Sequence, residues 1–231
     1  MSITENVARI KAEIATAAIA AGRKPEEITL CAATKMNDAD AVREAIRAGV
    51  DCCGENRVQE LVQKQSQNAY DGAPVHFIGH LQTNKVKQVV GKVDLIQSVD
   101  SVRLLEAINK EAGKQGIVQD ILLEINVGEE ESKSGFALEE VDDLLSKMGE
   151  FSAIRVLGFM AIPPICQVST ENHKFFQKMY NLSVDIMRKK YDNVCVNILS
   201  MGMSGDYADA IACGSTMIRV GTAIFGARDY A

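Results

Sequence analysis

The stretch that decides the fold is "ITLCAATK", residues 28–35, in which a short run of apolar and small residues ends at a lysine. The run has no alternation of polar and apolar positions, and this predicts a strand that is buried on both faces. Such strands are typical of parallel sheets covered by helices. Lys35 then stands where the strand ends and a polar, helix-favouring segment begins.

The same pattern recurs along the whole chain. Further runs of strand type lie at residues 50–54, 74–80, 93–99, 119–127, 155–161, 195–201 and 216–225. Helix-favouring segments separate them at residues 38–48, 56–69, 82–91, 101–115, 137–149, 168–190 and 204–213. Eight such repeats predict a closed α/β barrel of the (β/α)8 (TIM) type, because open doubly wound sheets have fewer strands. No linker interrupts the pattern, so we expect a single domain over residues 1–231.

An additional helix is predicted before the first strand. A capping-box pattern at Ser2 and Glu5 marks its start, and Gly22 marks its end. The apolar residues of this segment recur at helical spacing and share one face: Ile3, Val7, Ile10, Ile14 and Ala18. We expect this face to cover one end or side of the barrel.

Composition narrows the class of partner. The formal net charge is −6 and no basic block stands out, so neither nucleic acid nor an anionic membrane surface is expected as a partner. The N-terminus lacks a signal-peptide pattern, and no apolar run approaches the roughly 20 residues that span a bilayer. We therefore expect a cytoplasmic protein that binds small molecules or proteins.

The cysteines and histidines do not have metal-site spacing. The chain contains three histidines and no CxxC or HxxxH pattern, so no metal site is expected. Most of the cysteines lie within apolar runs, which predicts reduced core residues: Cys31, Cys52, Cys53, Cys166, Cys195 and Cys213.

Function in a barrel of this kind is expected where the strands end and the following loops begin. Polar residues follow the first four strands at Lys35, Glu55, Asn56, Arg57, His80, Gln82, Asn84, Ser98 and Asp100. The later strands lead into "NVGEEESKSG", "MAIPP" and "SMGMSGDYADAI", and the eighth contains "IRVGTAIFG". Glycines are concentrated at the last two strand ends.

Those last two strand ends favour a phosphate. Ser204 is predicted to cap a short helix, and Gly221 and Thr222 offer an exposed N–H group and a hydroxyl. The loops after the seventh and eighth strands are the usual phosphate position in this fold. In the alternative interpretation, Ser204 only caps the helix and the glycines only form turns.

The predicted phosphate position suggests a chemical role for Lys35. Closure of the barrel places it one strand away from the eighth strand, which suits an amine that forms a Schiff base with a phosphorylated aldehyde. Burial there would disfavour its ammonium form and make the amine more nucleophilic. The alternative is a surface lysine or a salt-bridge partner.

Arg219 is the candidate partner of a pyridine ring nitrogen. It lies two residues before Gly221 and so shares its face of the strand. Because a guanidinium keeps its proton, the ring nitrogen would stay unprotonated and the ring would be a weaker electron sink. The alternative is a structural ion pair between Arg219 and Asp206 or Asp209.

Seven motifs in order resemble the pyridoxal phosphate homeostasis protein family, also called the YggS or PROSC family, between about residues 5 and 228. They are "ATK", "GENRVQE", "HFIGHLQTNK", "EESKSGF", "GFMAIPP", "LSMGMSGDY" and "GSTMIRVGTAIFG". The resemblance implies a barrel of the alanine racemase N-terminal domain type, with pyridoxal 5'-phosphate on the lysine that aligns with Lys35.

The resemblance also implies roles for individual residues. Asn56 would contact the ring, Arg219 would face the pyridine nitrogen, and His80 falls in a family motif without an assigned role. The implied phosphate cradle consists of Ser204, Gly205, Gly221 and Thr222. The chain departs from the family pattern at Val75, where an aromatic residue is common, and at Arg57, where a tyrosine is common.

The resemblance implies binding, buffering and delivery of the cofactor within vitamin B6 homeostasis. The racemases that share this barrel carry a further domain and a second acid/base residue, whereas this sequence ends at Ala231, soon after the eighth strand. A lone lysine makes a poor racemase, because stereoinversion needs a proton donor on the opposite face. A weak amino-acid racemase and a sugar-phosphate enzyme remain alternatives.

Partners follow from the same interpretation. Enzymes that lack their pyridoxal phosphate are the expected acceptors, and a monomer is expected without the racemases' second domain. The loop at residues 129–135 is predicted to be a solvated turn, with Lys133 as a candidate contact to an acceptor or a second phosphate.

Overall fold

The computed structural model describes residues 1–130, 133–164 and 169–226. Within them, eight parallel strands close into a barrel in chain order, and β1 is hydrogen-bonded to both β2 and β8. The strands are β1 (Thr29–Ala33), β2 (Cys52–Glu55), β3 (Val75–Phe77), β4 (Leu95–Val99), β5 (Gln119–Ile125), β6 (Ile154–Ala161), β7 (Val194–Ser200) and β8 (Met217–Val220). The predicted barrel is confirmed.

Helices lie outside the barrel and connect most of its strands. The α-helices are α1 (Ile3–Ala20), α2 (Ala39–Arg47), α3 (Val58–Ser66), α4 (Val102–Gln115), α5 (Val141–Ser146), α6 (His173–Met187), α7 (Tyr207–Ala212) and α8 (Thr222–Phe225). Short 3-10 helices occupy Pro25–Glu27, Thr83–Gln88, Leu138–Glu140, Met148–Glu150 and Ser169–Asn172. In the described part of the chain, no helix has the length and apolar character needed to cross a membrane.

Three predicted elements differ from the structure. The segment at residues 82–91 is a 3-10 helix rather than an α-helix, because Asn84 and the β-branched Val86, Val89 and Val90 favour α-helix weakly. The predicted eighth strand, residues 216–225, ends at Val220 and gives way to α8. The predicted helix at residues 204–213 begins only at Tyr207.

The additional helix α1 covers one side of the barrel. Its capping box forms as predicted, with Ser2 and Glu5 bonded to each other's backbone N–H groups. The buried face of α1, which includes Val7, Ile10 and Ile14, shares an apolar cluster with residues of β1, β8, α7 and α8. Burial of this face fixes α1 beside the two strands that close the barrel.

Strands β1 to β4 and β8 are buried on both faces, as their continuous apolar character predicts, whereas the first half of β7 is partly exposed. In β1, Leu30 and Ala32 face outward into the cluster with α1, whereas Cys31 and Ala33 face the barrel interior. Apolar side chains from six other strands or their ends join them in the interior: Cys52, Ile78, Leu95, Leu122, Met160 and Met217. The interior is therefore packed rather than an open channel.

The predicted burial of the cysteines holds only in part. Cys31, Cys52, Cys53 and Cys213 are buried and reduced, but Cys195 is exposed. Cys195 lies on β7, whose first half is only partly covered by other elements. Its apolar neighbours in the sequence predicted burial, and that prediction is wrong for this cysteine. Cys166 lies outside the described residues.

Candidate functional site

The backbone around Lys35 forms a tight turn at the end of β1. The N–H of Asn37 donates to the carbonyl of Thr34 at 3.2 Å, and the side-chain amide of Asn37 donates to the carbonyl of Lys35 at 3.0 Å. Met36 adopts a left-handed conformation with φ of 63°, which is uncommon for a residue with a side chain. Lys35 itself is half-buried within this turn.

A buried ion pair lies behind that turn. Lys64 of α3 donates from Nζ to the carbonyl of Thr34 at 2.7 Å and to Oε1 of Glu55 at 2.5 Å. The Thr34 hydroxyl and the Tyr70 hydroxyl donate to the same carboxylate oxygen, at 2.5 and 3.0 Å. Glu60 of α3 accepts from the N–H of Met36 at 2.6 Å. The peptide groups on both sides of Lys35 are therefore held by side chains of α3.

The ends of β7 and β8 meet through Ser204. Its Oγ accepts a hydrogen bond of 3.3 Å from the N–H of Ala223, in the first turn of α8. The prediction that Ser204 caps the helix of its own loop is wrong, because Asp206 occupies the N-cap position of α7. Ser204 instead joins the loop after β7 to the short helix that begins at Thr222.

Neighbouring polar groups hold the loop at residues 203–206. Oδ1 of Asp206 accepts from the N–H of Met203 at 2.7 Å, and Oδ2 accepts from the side-chain amide of Asn172 at 2.8 Å. Oδ1 of Asn172 is buried without a hydrogen-bond partner in the described part of the chain. Gly205 is exposed at the tip of this loop.

Arg219 lies inside the barrel, near the carboxyl ends of its strands. Its guanidinium donates to Oγ of Ser200 at 2.6 Å and to the carbonyl of Ala161 at 2.9 Å. Burial lowers the pKa of Arg219, but an arginine stays charged in proteins. The alternative ion pair is not seen: Asp206 bonds to Asn172 and Met203, and Asp209 pairs with His173 at 3.1 Å.

Asn56 follows β2 and carries an unsatisfied group. Its Oδ1 is buried and has no hydrogen-bond partner among the residues that the structure describes. A buried amide oxygen without a partner costs about 1–3 kcal/mol, so such groups in native structures call for an explanation. A ligand that donates a hydrogen bond would supply one.

His80 and Arg57 lie on the rim of the barrel, which is the solvent-exposed edge formed by the loops that follow the strands. Nδ1 of His80 is 3.0 Å from Oδ2 of Asp100, and this contact joins the ends of β3 and β4 while the imidazole stays exposed. Arg57 is also exposed and lies 3.6 Å from Glu60. Val75 is the other departure from the family pattern. It packs in the outer core, the apolar layer between the strands and the surrounding helices, and does not face the barrel interior.

Glu124 of β5 is an acidic group that the sequence did not indicate. Burial, and then the nearby Asp100 carboxylate, raise the pKa of Glu124 to about 7, while Arg219 and His80 act in the opposite direction. Asp100, Arg219 and His80 therefore lie close enough to influence it. Glu124 adds a protonatable carboxyl group to the same end of the barrel.

A chain of buried hydrogen bonds extends from Arg219 into the barrel and was also missed. The Ser200 hydroxyl donates to Oε1 of Gln97 at 2.7 Å, and the amide of Gln97 lies 2.9 Å from Nδ1 of His76. The polar Gln97 in the middle of the apolar run "LIQSV" was the available signal. Apolar runs alone do not show which residues face inward.

Lys133 lies on the loop after β5. It pairs with Glu130 at 3.0 Å and lies 3.4 Å from the carbonyl of Pro163, in the loop after β6. It therefore bridges two loops on the rim. Residues 131–132 of the predicted solvated turn lie outside the described residues.

Strand order brings the predicted site residues to one end of the barrel. Ala32 lies opposite Val220, so the chain leaves β1 towards Lys35 beside the point where it leaves β8 towards Gly221 and Thr222. Arg219 lies inside that end, and Asn56 follows the strand on the other side of β1. His80 is separated from this group, since it pairs at the ends of β3 and β4.

Comparison with known proteins identifies the family of this chain. The family model for the alanine racemase N-terminal domain matches residues 2–229. The pyridoxal phosphate homeostasis protein of Aquifex aeolicus is 40% identical over 230 residues, covering 100% of both chains. The protein of the same name from Escherichia coli K12 is also 40% identical, covering 99% of this chain and 97% of its own.

The chain belongs to the pyridoxal phosphate homeostasis protein family. Among solved structures, PipY of Synechococcus elongatus PCC7942, with pyridoxal phosphate bound, is 30% identical with a TM-score of 0.84, covering 97% of this chain and 100% of that one. Alanine racemase of Clostridium difficile 630 is 17% identical with a TM-score of 0.67, covering 97% of this chain and 57% of that one. The racemase shares the fold, and the family resemblance predicted from the motifs is confirmed.

Proposed function

We propose that this protein binds pyridoxal 5'-phosphate at the carboxyl end of its barrel, holds it on Lys35, and buffers and delivers it within vitamin B6 homeostasis. The observation that carries the proposal is the junction of β7 and β8, where Ser204 meets the first turn of α8 beside the strand that leads to Lys35. The names of the homologues and the cofactor in PipY support the same function.

The residues present fit this cofactor. A hydroxyl at Ser204, the start of α8 at Gly221 and Thr222, and the exposed Gly205 suit a phosphate. The buried guanidinium of Arg219 suits an unprotonated ring nitrogen, to which it can donate. The unsatisfied oxygen of Asn56 would accept a hydrogen bond from the bound molecule.

Lys35 would hold the aldehyde covalently and reversibly. Its amine condenses with the aldehyde carbon to form an imine, with release of one water, and hydrolysis returns both groups. The ion pair of Lys64 and Glu55 and the carboxylate of Glu60 fix the turn that carries Lys35, so the amine is presented at a defined position.

Arg219 would limit catalysis by the bound cofactor. Pyridoxal phosphate supplies an electron sink for reactions at an attached amino acid. A guanidinium cannot pass a proton to the ring nitrogen, so the ring remains a weaker sink next to Arg219. Storage and release therefore suit this site better than turnover.

An absorbance scan tests the central proposal. The wild-type protein with added pyridoxal phosphate should retain a visible band through gel filtration, and borohydride should bleach it. Lys35→Ala should lose both the band and the borohydride-fixed adduct, whereas Lys110→Ala, which removes an exposed lysine on α4, should keep them. A colourless wild-type protein, or an equal adduct in Lys35→Ala, would refute the proposal.

The phosphate contacts are tested by a double variant. Ser204→Ala with Thr222→Ala should lose cofactor on dialysis at least about tenfold faster, since each hydrogen bond to a charged group is worth about 1.5–3 kcal/mol. Thr16→Ala, which removes an exposed hydroxyl of α1, is the control. Unchanged retention with an intact fold would remove Ser204 and Thr222 from the cradle.

Delivery and assembly need separate experiments. A loaded sample mixed with an enzyme that lacks its pyridoxal phosphate should activate that enzyme faster than the cofactor's spontaneous release allows. Rates equal to spontaneous release would argue for a passive buffer. Sedimentation of the loaded protein should give the mass of a single chain, as the monomer proposal requires.

A weak amino-acid racemase is a second candidate function, and Glu124 is the observation that favours it. This half-buried carboxyl group, with its pKa raised to about 7, lies near Arg219 and could exchange protons with a bound amino acid. Conversion of an L-amino acid to its D-form that is abolished by both Lys35→Ala and Glu124→Gln would establish this activity. Absence of turnover in the loaded protein would exclude it.

A further inference from the structure

Three metal-ligating side chains meet inside the barrel below the proposed cofactor site. Cys31, Cys52 and His76 point inward from β1, β2 and β3, and their ligand atoms all lie within 4.8 Å of one another. Cys31 and Cys52 are directly opposite each other in the register of β1 and β2. All three side chains are buried, so they form an enclosed cluster rather than a surface patch.

We propose that Cys31, Cys52 and His76 form a binding site for a thiophilic metal ion. This site was not expected from the sequence, because the chain has no CxxC pattern. The barrel brings the three residues together, since inward-facing residues of consecutive strands are neighbours.

The geometry fits coordination. Sγ of Cys52 lies 3.5 Å from Nδ1 of His76. Two ligands on one tetrahedral ion, at about 2.3 Å for sulfur and 2.0 Å for nitrogen, are separated by about the same distance. Thiolate and imidazole ligands together select Cu+ or Zn²⁺ over the hard cations Mg²⁺ and Ca²⁺.

Gln97 contacts His76 but can release it for metal binding. The amide of Gln97 lies 2.9 Å from Nδ1 of His76 and would have to release it when a metal binds. That amide also lies 3.1 Å from Sδ of Met217, and Oε1 of Gln97 stays bonded to Ser200. Gln97 therefore keeps two partners while the imidazole nitrogen is freed.

Charge favours a thiolate site at this position. Arg219 lies directly opposite Cys31 in the register of β8 and β1, so a buried positive charge is adjacent to the thiol. Two thiolates would balance Arg219 and a monovalent ion, which favours Cu+ over Zn²⁺. Binding releases the thiol protons to solvent.

The barrel wall offers a route for the ion. In register, β7 and β8 are paired only where Ser200 lies opposite Met217, and the backbone hydrogen bonds between the two segments lie close to that pair, at Leu199, Met201 and Gly202. A cavity of about 540 Å³ opens beside residues 196–199 of β7, and Ile198 lines it. Ile198 also packs against the interior cluster that contains Cys31 and Cys52. Local opening at this position would give access to the thiols.

Metal retention tests the proposal on the full-length protein as isolated, with its thiols reduced and titrated first. Samples equilibrated without oxygen with Cu+ or with Zn²⁺, each in the presence of a weak competing ligand, are passed through gel filtration and their metal content is measured. Wild type should retain about one ion per chain, and Cys31→Ser and Cys52→Ser should bind at least about tenfold more weakly. Retention of one ion and not the other identifies which ion the site takes.

Cys53→Ser is the matched control. Cys53 follows Cys52 in β2 but faces the outer core, so this variant should retain metal like wild type. X-ray absorption on loaded wild type gives a result that does not depend on a variant folding: two sulfur neighbours at about 2.3 Å and a nitrogen at about 2.0 Å are expected. No retained ion, no sulfur neighbours, a Cys31–Cys52 disulfide in the reduced sample, or equal loss in Cys53→Ser would overturn the proposal. The readouts do not require pyridoxal phosphate.

Discussion

Two side chains of α3 fix the backbone on either side of Lys35. Lys64 bonds to the carbonyl of Thr34, just before Lys35, and Glu60 bonds to the N–H of Met36, just after it. Lys35 was predictable from the sequence, because a cation that follows an apolar run marks the end of a strand. Lys64 was not, because a lysine in a polar helix is normally exposed and only the fold shows that this one is buried.

Lys64→Met should lower the free energy of unfolding by about 3 kcal/mol, because it leaves the Glu55 carboxylate buried without its cation. Lys114→Met removes an exposed cation 3.7 Å from Glu111 and should cost no more than about 1 kcal/mol. Adding Glu55→Leu to Lys64→Met should recover only part of the loss, because it removes the buried charge but also the acceptor of the Thr34 and Tyr70 hydroxyls. Urea denaturation measures all of these variants, and equal losses for the two single variants would contradict the role given to Lys64.

Glu124 should make stability depend on pH. Its pKa rises from 4.5 to about 7 on folding, so the folded protein disfavours the charged form, and stability falls as pH rises across that interval. Glu124→Gln should therefore raise the free energy of unfolding at pH 8 by on the order of 2–3 kcal/mol and change it little at pH 4. Denaturation of the cofactor-free protein at both values checks this. An exposed control, Glu139→Gln, should show no such difference, and a gain at pH 4 as large as at pH 8 would contradict the assignment.

Secondary-structure elements were predictable in kind but less so at their ends. All eight strands appear where apolar runs indicated them, because even the partly exposed β7 keeps enough apolar residues to show the pattern. The end of β8 was not visible, since "VGTAIF" stays apolar while its backbone changes from strand to the helix α8. That change allows the N–H of Ala223 to donate to Ser204.

The loop between β7 and α7 provides a matched pair of glycines. Gly202 has φ of 94°, and a Cβ there would lie 2.6 Å from Cβ of Ala210 and 3.0 Å from Cα of Tyr207. Gly202→Ala should therefore lower the free energy of unfolding by about 2–4 kcal/mol. Gly205→Ala meets nothing within 4 Å and should change it by less than about 0.5 kcal/mol. Similar losses in urea denaturation would show that the conformation of Gly202 is not required.

Across the whole molecule, neighbouring strands of the barrel are paired over unequal lengths. β5 and β6 pair from Gln119 to Ile125, whereas β7 and β8 are paired only at Ser200 and Met217. Side chains in the first half of β7, such as Cys195 and Asn197, are exposed. The sequence predicted closure of the barrel but not its weakest seam, because run lengths do not show how strands are aligned.

Hydrogen exchange should therefore be uneven around the barrel. Amides at residues 194–199 should exchange at least about tenfold faster than those at residues 119–125, because local opening requires little loss of packing where few backbone bonds and few buried apolar groups hold a strand. Mass spectrometry of peptides from the two segments, measured in the same sample, makes each the control for the other. Because the seam adjoins Ile198 and the interior thiols, occupation of the proposed metal site should slow exchange at residues 194–199 more than at residues 119–125. Equal protection of both segments in the metal-free protein would contradict an opening at this seam and the entry route drawn from it.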